Sequence, residues 1–248
     1  MKDKVRNTKT LQNVSNINKT KLYITGLYSY CVISRMFITR VLVLVICIAQ
    51  SNSVSRNVVK ELSVTNGQGW GNWRNLQLCP QPGQYAYGYK MKIEVSQGGG
   101  RSNDDTALNA IQLLCGTKTV QHTSGPKITS GTCPWGDWYP TFTQCRPGEF
   151  FVSFSLKVEG HQGAGRVNDD TAANYVKFEC RGLNGGYQEI KEQPRQSGYG
   201  DWGSYGSWSR SCDTGSAICG IQTRTESPQG GGIDDTALND VKFVCCRD

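Results

Sequence analysis

The sequence predicts an all-β fold in which three antiparallel sheets close into a β-prism with pseudo-three-fold internal symmetry. Three observations predict it. A string that reads NDDTALN, NDDTAAN and then DDTALN recurs along the chain, at residues 103–109, 168–174 and 234–239. Cysteines recur at the same period of 65 residues, at Cys115, Cys180 and Cys245. Each copy also contains stretches of alternating apolar and polar residues, a pattern typical of strands.

The alternating stretches flank a Gly-rich turn in each copy. Apolar side chains alternate with small or charged ones from Tyr85 to Val95, from Val152 to Glu159 and, more weakly, from Cys219 to Thr225. A second run follows each DDTA string and ends at the recurring cysteine. A period of two places one face of a strand in the core and the other in water, so we expect half-buried antiparallel hairpins.

The repeats are expected at about residues 60–118, 119–184 and 185–248, each forming one sheet of about four strands. Such a sheet exposes an apolar face that it cannot bury alone, whereas three sheets facing a common axis can bury all three faces. A three-bladed propeller is the nearest alternative architecture, although propellers usually have four or more blades.

The chain is expected to divide into three segments. Residues 1–35 are interpreted as an unstructured upstream extension, 36–53 as a secretory signal peptide, and 54–248 as a single domain. Residues 54–248 contain 19 basic and 19 acidic side chains, so the excess positive charge lies upstream. A neutral domain lacks the basic footprint of a nucleic-acid-binding protein. We therefore expect a secreted, extracellular protein with no membrane insertion of the mature chain.

Nine cysteines follow residue 53, and the repeat suggests how eight of them pair. Equivalent segments are bracketed by Cys79 with Cys115 and by Cys145 with Cys180, and by analogy Cys212 pairs with Cys245 and Cys219 with Cys246. The last two pairings could be exchanged, because Cys245 and Cys246 are adjacent. Cys133 has no counterpart in the other copies. No cysteine pair has zinc-ligand spacing, so no metal site is predicted.

Three stretches of residues 57–248 resemble the vitelline membrane outer layer protein 1 family. They read SQGGGRSNDDTALN, FVSFSLKVEGHQGAGRVNDDTAANYVKFEC and CGIQTRTESPQGGGIDDTALNDVKFVCC. The resemblance implies three Greek-key sheets, secretion, and residence in an egg's outer vitelline coat or in secreted fluids. It also implies a transferase activity on chitooligosaccharides with lysozyme-like character, without a catalytic motif to carry over. The chain departs from the family in its long leader, in Cys133 and in a wider gap between Cys212 and Cys219.

Carboxylates are the candidate catalytic residues. Glycosidases use paired carboxylates, and the recurring candidates here are Asp105, Asp170 and Asp235 in the DDTA strings and Glu94, Glu159 and Glu226 at the ends of the first strands. Recurrence in all three copies is also what a turn requirement produces, since one active site needs one copy. We therefore favour aspartates that bond nearby backbone in turns and glutamates that lie at solvated edges.

Six tryptophans recur within Trp-Gly motifs. Trp70, Trp135 and Trp202 begin these motifs and are the candidates for stacking against sugar rings. The favoured interpretation is that the tryptophans are core wedges between the sheets, because an indole buries a large apolar area.

Two function classes remain after these exclusions. The favoured hypothesis is a non-enzymatic, disulfide-stabilised constituent of an egg envelope or secreted matrix, with extracellular glycans or coat glycoproteins as partners. The alternative is a glycan-processing enzyme acting on N-acetylglucosamine oligosaccharides. A lectin-like or pore-associated module is a third, weaker analogy. The glycine-rich turns join strand to strand rather than strand to helix, so no phosphate loop is expected and no cofactor is predicted.

Overall fold

The computed structural model describes residues 55–97, 106–121, 124–160, 171–228 and 236–248, together with the backbone of three strands nearer the N terminus. The chain forms two compact units, Met1–Ser53 and Val54–Asp248. All the secondary structure described is β-strand or turn. Within these described residues, no helix is long and apolar enough to cross a membrane.

The unit Met1–Ser53 contains a small antiparallel sheet in the order β1-β2-β3. Its strands are β1 (Lys21–Ile24), β2 (Leu27–Cys31) and β3 (Cys47–Ala49). Sequence analysis expected residues 1–35 to be unstructured, and the two strands found there differ from that expectation. The runs KLYI and LYSYC are rich in aromatic and β-branched or apolar residues, which favour strands despite the polar surroundings.

The first and second sheets of Val54–Asp248 are built alike. The first sheet comprises β7 (Tyr85–Ile93), β8 (Leu108–Gly116), β9 (Lys127–Thr129), β10 (Asp137–Trp138) and β11 (Thr143–Gln144). The second comprises β12 (Glu149–Val158), β13 (Ala173–Gly182), β14 (Gly185–Glu192) and β15 (Ser204–Tyr205). Their orders are β10-β7-β8-β9, with β11 also on β7, and β14-β13-β12-β15.

The third sheet joins the two ends of this unit. It comprises β4 (Val58–Leu62), β5 (Asn72–Trp73), β6 (Gln77–Leu78), β16 (Ala217–Thr225) and β17 (Leu238–Cys246). Its order is β4-β17-β16-β5, with β6 also on β16. The early strand β4 pairs with the late strand β17, for example through Leu62 opposite Phe243. The sheet is therefore complete only when both parts of the chain are in place.

All three sheets have the Greek-key arrangement. In the first and second sheets, a hairpin and a third strand are consecutive, and a short fourth strand returns to the free side of the first. In the third sheet, β4 and β5 from the start of the unit take the corresponding places beside the hairpin β16–β17. The short strands come from the following sequence repeat, and in the third sheet from the first repeat. The expectation that each repeat forms its own sheet is therefore wrong, because every sheet combines strands of two neighbouring repeats.

The core lies between the three sheets and has aromatic side chains at its centre. Phe178 of the second sheet is central, with ring centroids 4.8 Å from Tyr89 of the first sheet and 5.1 Å from Phe243 of the third. Phe151 stacks on Phe178 at 4.4 Å, and all these side chains are fully buried. Three curved sheets thus bury their apolar faces against one another, which gives the all-β prism that the repeat predicts.

The outward faces of the hairpins are less exposed than strand alternation predicts. In β12, Ser155 and Lys157 alternate with apolar residues, yet they are only 1% and 6% exposed. Ser155 donates to the carbonyl oxygen of Gly206, and Lys157 to that of Gly200. The Trp-Gly segment thus covers a face that was expected to contact water.

Four disulfides are present, and they join the same cysteines that the repeat pairs: Cys79–Cys115, Cys145–Cys180, Cys212–Cys245 and Cys219–Cys246. The first three are equivalent, and each joins two sheets. Cys79, for example, follows β6 of the third sheet, whereas Cys115 lies in β8 of the first. The fourth lies within the third sheet. The three equivalent crosslinks therefore form a ring around one end of the prism, which we call the disulfide end.

Candidate functional site

The opposite end of the prism, here the loop end, holds the three glutamates singled out in the sequence. Each glutamate follows the first strand of a hairpin and accepts a hydrogen bond from the threonine that precedes the second strand. The hydroxyl-to-carboxylate distances are 2.6 Å for Thr106 to Glu94, 2.5 Å for Thr171 to Glu159 and 2.7 Å for Thr236 to Glu226. Each glutamate is partly buried. The carboxylates therefore help to hold their own hairpins and are not simply solvated.

A buried asparagine extends each of these contacts. In the first hairpin, the side-chain Nδ2 of Asn109 donates to the hydroxyl of Thr106 at 2.7 Å and to the carbonyl oxygen of Ala107 at 3.1 Å. Asn174 and Asn239 make the same contacts in their hairpins. The result is a Glu–Thr–Asn relay that is repeated three times.

The asparagines occupy β-bulges. Lys92 faces Ala110 and Ile93 faces Leu108, so Asn109 is the extra residue in its strand, and Asn174 and Asn239 are extra in the same way. A bulge re-aims a side chain inward. The Oδ1 atom of each asparagine is buried and lacks a hydrogen-bond partner in the described structure. Each is therefore an unsatisfied acceptor within the described part of the chain.

The Trp-Gly segments, which contain the short strands β5, β10 and β15, run along the hairpins and are here called the arms. Gly136 has a φ of +71°, and a Cβ there would lie 2.3 Å from the backbone of Glu94. Gly71 and Gly203 make equivalent close approaches. Lys92 fixes the same arm by donating to the carbonyl oxygens of Cys133 and Pro134 at 2.8 and 2.7 Å. The glycine of each motif is therefore required by contact with the neighbouring strand.

Two of the arms also reach the glutamate of an adjacent sheet, through position 68 or position 133. Gln68 Nε2 donates to the carbonyl oxygen of Glu159 at 3.2 Å, and Cys133 Sγ lies 3.8 Å from that of Glu226. Gly200 stands two residues before Trp202, as Gln68 and Cys133 stand before Trp70 and Trp135. Gly200 has a φ of +58°, and a Cβ there would lie 2.3 Å from the backbone oxygen of Asn174.

A recess lies at this third junction, between the first sheet and the arm of the second. It is shallow and open to solvent, with room for about one water-sized group, and it is lined by Glu94, Ser96, Ala107, Thr171, Asn174, Gly198, Gly200, Asp201 and Trp202. The acceptor-rich lining combines two carboxylates with the buried amide of Asn174. The recess is far smaller than the roughly 300–1,000 Å³ sites of drug-sized ligands, so it fits only a single small group of a larger ligand.

A buried cation stands behind the recess. Lys157 Nζ donates to the carbonyl oxygens of Gly200 and Asp201 at 2.9 and 2.7 Å. Burial lowers the pKa of Lys157, and the Arg195 guanidinium lowers it further. Because the Lys157 ammonium donates to the backbone of the arm, it holds Asp201 and Trp202 in place at the edge of the recess.

The prediction that the tryptophans are core wedges is wrong. Trp70 and Trp202 are 50% and 39% exposed, and Trp135 is partly exposed. The second tryptophans of the motifs lie on outer faces beneath lysines, with Lys242 Nζ 5.0 Å from the ring centroid of Trp73. The arms are two-residue strands at sheet edges and have no inward face to offer an indole. Of the stacking candidates Trp70, Trp135 and Trp202, only Trp202 lines the recess.

The other candidates are placed as follows. Asp105, Asp170 and Asp235 lie outside the described residues. Cys133 is buried and belongs to none of the four disulfides. Among the residues described, no group of three or more His, Cys, Asp or Glu side chains is arranged to hold a metal ion.

Sequence reasoning missed the residues that organise the loop end. Asn109, Asn174 and Asn239 stand at the same place in each recurring string, four residues after the second aspartate. Only the aspartates of these strings are candidates on sequence grounds. The recurrence of asparagine was the available signal. No sequence signal distinguishes Gly200 from a turn glycine.

Comparisons with known proteins identify related chains. Residues 60–248 match the family model described as vitelline membrane outer layer protein I. The human protein named vitelline membrane outer layer protein 1 homolog is 41% identical over 187 residues, covering 75% of this chain and 82% of that one. The mouse protein of the same name is 38% identical over 186 residues, with the same coverage. A mannose-binding jacalin-related lectin from Ananas comosus aligns with a TM-score of 0.39 and 11% identity, over 76% of this chain and 98% of that one.

Proposed function

Because the chain belongs to the vitelline membrane outer layer protein I family, we propose that it is a secreted structural protein of an extracellular coat. In this proposal it binds carbohydrate or coat glycoprotein through the recess at the loop end. The names of the human and mouse relatives refer to an egg's outer layer, and a disulfide-rich domain suits an oxidising extracellular setting.

The observation that carries the binding proposal is the combination of groups in the recess. Trp202 is exposed and offers an apolar face to a pyranose ring, while Glu94, Asp201 and the Oδ1 of Asn174 are hydrogen-bond acceptors. Sugars present hydroxyl donors around an apolar ring face, so both halves of the lining are complementary to a sugar. The recess has room for about one water-sized group, so in this proposal it takes a single hydroxyl of a sugar whose ring lies against Trp202.

A binding measurement on immobilised N-acetylglucosamine oligosaccharides and coat glycoproteins tests the proposal. We expect Trp202→Ala to weaken binding about tenfold, because it removes the stacking surface. Trp208→Ala is the matched control, since this tryptophan lies beneath Lys177, 5.3 Å from its Nζ, and does not line the recess. Equal effects of the two substitutions, or the absence of any glycan binding, would contradict the proposal.

Glycan processing is the second candidate, and it is favoured only by the presence of two carboxylates in one recess, those of Glu94 and Asp201. Incubation with chitooligosaccharides and product analysis test it. If the recess is catalytic, Glu94→Gln and Asp201→Asn should remove turnover and retain binding. Turnover that is unchanged in both variants would exclude these residues as the acid and base.

A further inference from the structure

The outer face of the first sheet carries two lysines that make no ion pair with any described carboxylate. Lys90 lies on β7 and Lys127 on β9. The lysines that do form ion pairs are elsewhere, at Lys60, Lys191 and Lys242. Lys127 is exposed and Lys90 is partly buried.

The ammonium groups of both lysines lie close to the aromatic ring of Phe142. Lys90 Nζ lies 5.2 Å from the ring centroids of both Trp138 and Phe142, and Lys127 Nζ lies 5.7 Å from that of Phe142. Burial lowers the pKa of Lys90, and the like charge of Lys127 lowers it further. Two positive charges thus share one aromatic platform, and an anion between them would relieve their repulsion.

The third sheet provides an internal comparison at the same register. Lys127 faces Leu114, which precedes Cys115, and Glu61 faces Val244, which precedes the equivalent Cys245. Lys127 therefore occupies the position that Glu61 occupies in the third sheet.

In the third sheet the arrangement is neutral. Glu61 pairs with Lys242 at 2.8 Å, and Lys242 Nζ lies 5.0 Å from the ring centroid of Trp73. The lysine–aromatic contact is thus common to both sheets. At the position of Glu61, however, the first sheet has a second lysine, Lys127.

The second sheet also has carboxylates on this face. Lys177 lies 4.0 Å from the ring centroid of Tyr205, and its cross-strand partner is Glu192. Directly opposed residues in an antiparallel pair share a face. The first sheet is therefore the one of the three whose platform lysines have neither an ion-paired nor a directly opposed carboxylate among the described residues.

We propose that this face of the first sheet binds the sulfate groups of an acidic polysaccharide. Lys90 and Lys127 each supply ammonium donors for sulfate oxygens, and Trp138 and Phe142, both partly exposed, supply apolar contact for the sugar ring. Residues 54–248 carry equal numbers of basic and acidic side chains, so this attraction is local and not a property of the whole domain. The site is separate from the recess and does not depend on it.

Heparin, a sulfated polysaccharide, is a suitable probe for titration calorimetry with the purified protein. We expect Lys90→Gln combined with Lys127→Gln to weaken binding about tenfold and to reduce its salt dependence. Lys127→Glu, which restores a carboxylate at this register, should weaken it at least as much. The matched control is Lys242→Gln, where the lysine on the equivalent aromatic is already ion-paired; it should change affinity less than twofold.

Several results would overturn the proposal. They are the absence of heparin binding, an equal loss in Lys242→Gln, and no loss in Lys127→Glu. Polyglutamate that binds as tightly as heparin would show that the face selects anionic charge without a sugar, which also overturns it. Chemical denaturation of every variant separates loss of binding from loss of folding, and recess binding measured on Trp202→Ala distinguishes this proposal from the one above.

Discussion

The disulfide end and the loop end of the prism are built from the same three hairpins but are held together differently. At the disulfide end, bulges at Tyr87, Val152 and Cys219 each offer a carbonyl oxygen to the backbone nitrogen of a cysteine, at 2.8 Å. That cysteine then crosslinks to the next sheet. At the loop end, equivalent bulges place asparagines, and the contacts described there are hydrogen bonds and close packing of the arms.

The three junctions between sheets are alike at the disulfide end and unlike at the loop end. All three junctions at the disulfide end are alike, because each needs a cysteine pair in one geometry. The three junctions at the loop end differ, with Gln68, Cys133 and Gly200 at equivalent positions, and the recess described above lies beside Gly200. We infer that crosslinking one end leaves the junctions at the other end free to differ from one another.

Removing an inter-sheet crosslink should give the largest effect. Cys145→Ala with Cys180→Ala releases a crosslink with a sequence separation of 35 residues. We expect the free energy of unfolding to fall by about 4 kcal/mol, mainly because the unfolded chain gains freedom. Urea denaturation measures the change. A loss below about 1 kcal/mol would show that the disulfide end does not carry the stability assigned to it.

A buried relay at the loop end should matter less than a crosslink but more than a surface contact. Asn109→Asp replaces the amide donor that bonds Thr106 and Ala107, and should cost about 2 kcal/mol at pH 7. The loss should shrink at acidic pH, because a protonated carboxyl regains one donor. Denaturation at both pH values tests this, and a deficit that does not depend on pH would contradict the donor role.

The smallest effect is expected from Asp240, which follows the bulged Asn239. Burial raises the pKa of Asp240 above its ordinary value, so the folded state binds this proton more tightly than the unfolded chain does. Its stabilising contribution is therefore present at low pH and is lost as the pH rises through the folded-state pKa.

Asp240→Asn should thus raise stability at pH 7, by less than about 1 kcal/mol, and make no difference near pH 3. The amide keeps an acceptor for the backbone nitrogen of Val241, which Asp240 now binds at 2.8 Å. Denaturation midpoints at the two pH values provide the measurement. A variant that is less stable at pH 7 would show that the charge is favourable at this end of the prism.

Sequence reasoning was sufficient for the features that repeat with long periodicity. The strands around Tyr89, Phe154 and Phe243 alternate over nine or ten residues, so their faces could be assigned. The order Cys245 then Cys246 could not be assigned to partners from the sequence. The bulge at Cys219 changes which face each neighbouring residue presents, and the structure has Cys219 with Cys246.

The arms and the recess were beyond sequence reasoning for physical reasons. Strands of two residues, such as Asn72–Trp73, have no periodicity from which to infer a buried face. The tryptophans were therefore predicted to lie in the core, because an indole usually buries a large apolar area, whereas they lie at the edges of the sheets. The recess lies at a junction between distant segments of the chain, which leaves no local pattern in the sequence.

The pairing of β4 with β17 has a consequence for biosynthesis. Val58–Leu62 is made early and must wait for Leu238–Cys246 before its edge is covered. Because most of the prism depends on contacts between distant parts of the chain, closure is slow and comes after synthesis of the final strand. An exported chain with this topology would cross a translocation pore unfolded. It would fold only on the far side, where oxidising conditions allow its disulfides to form.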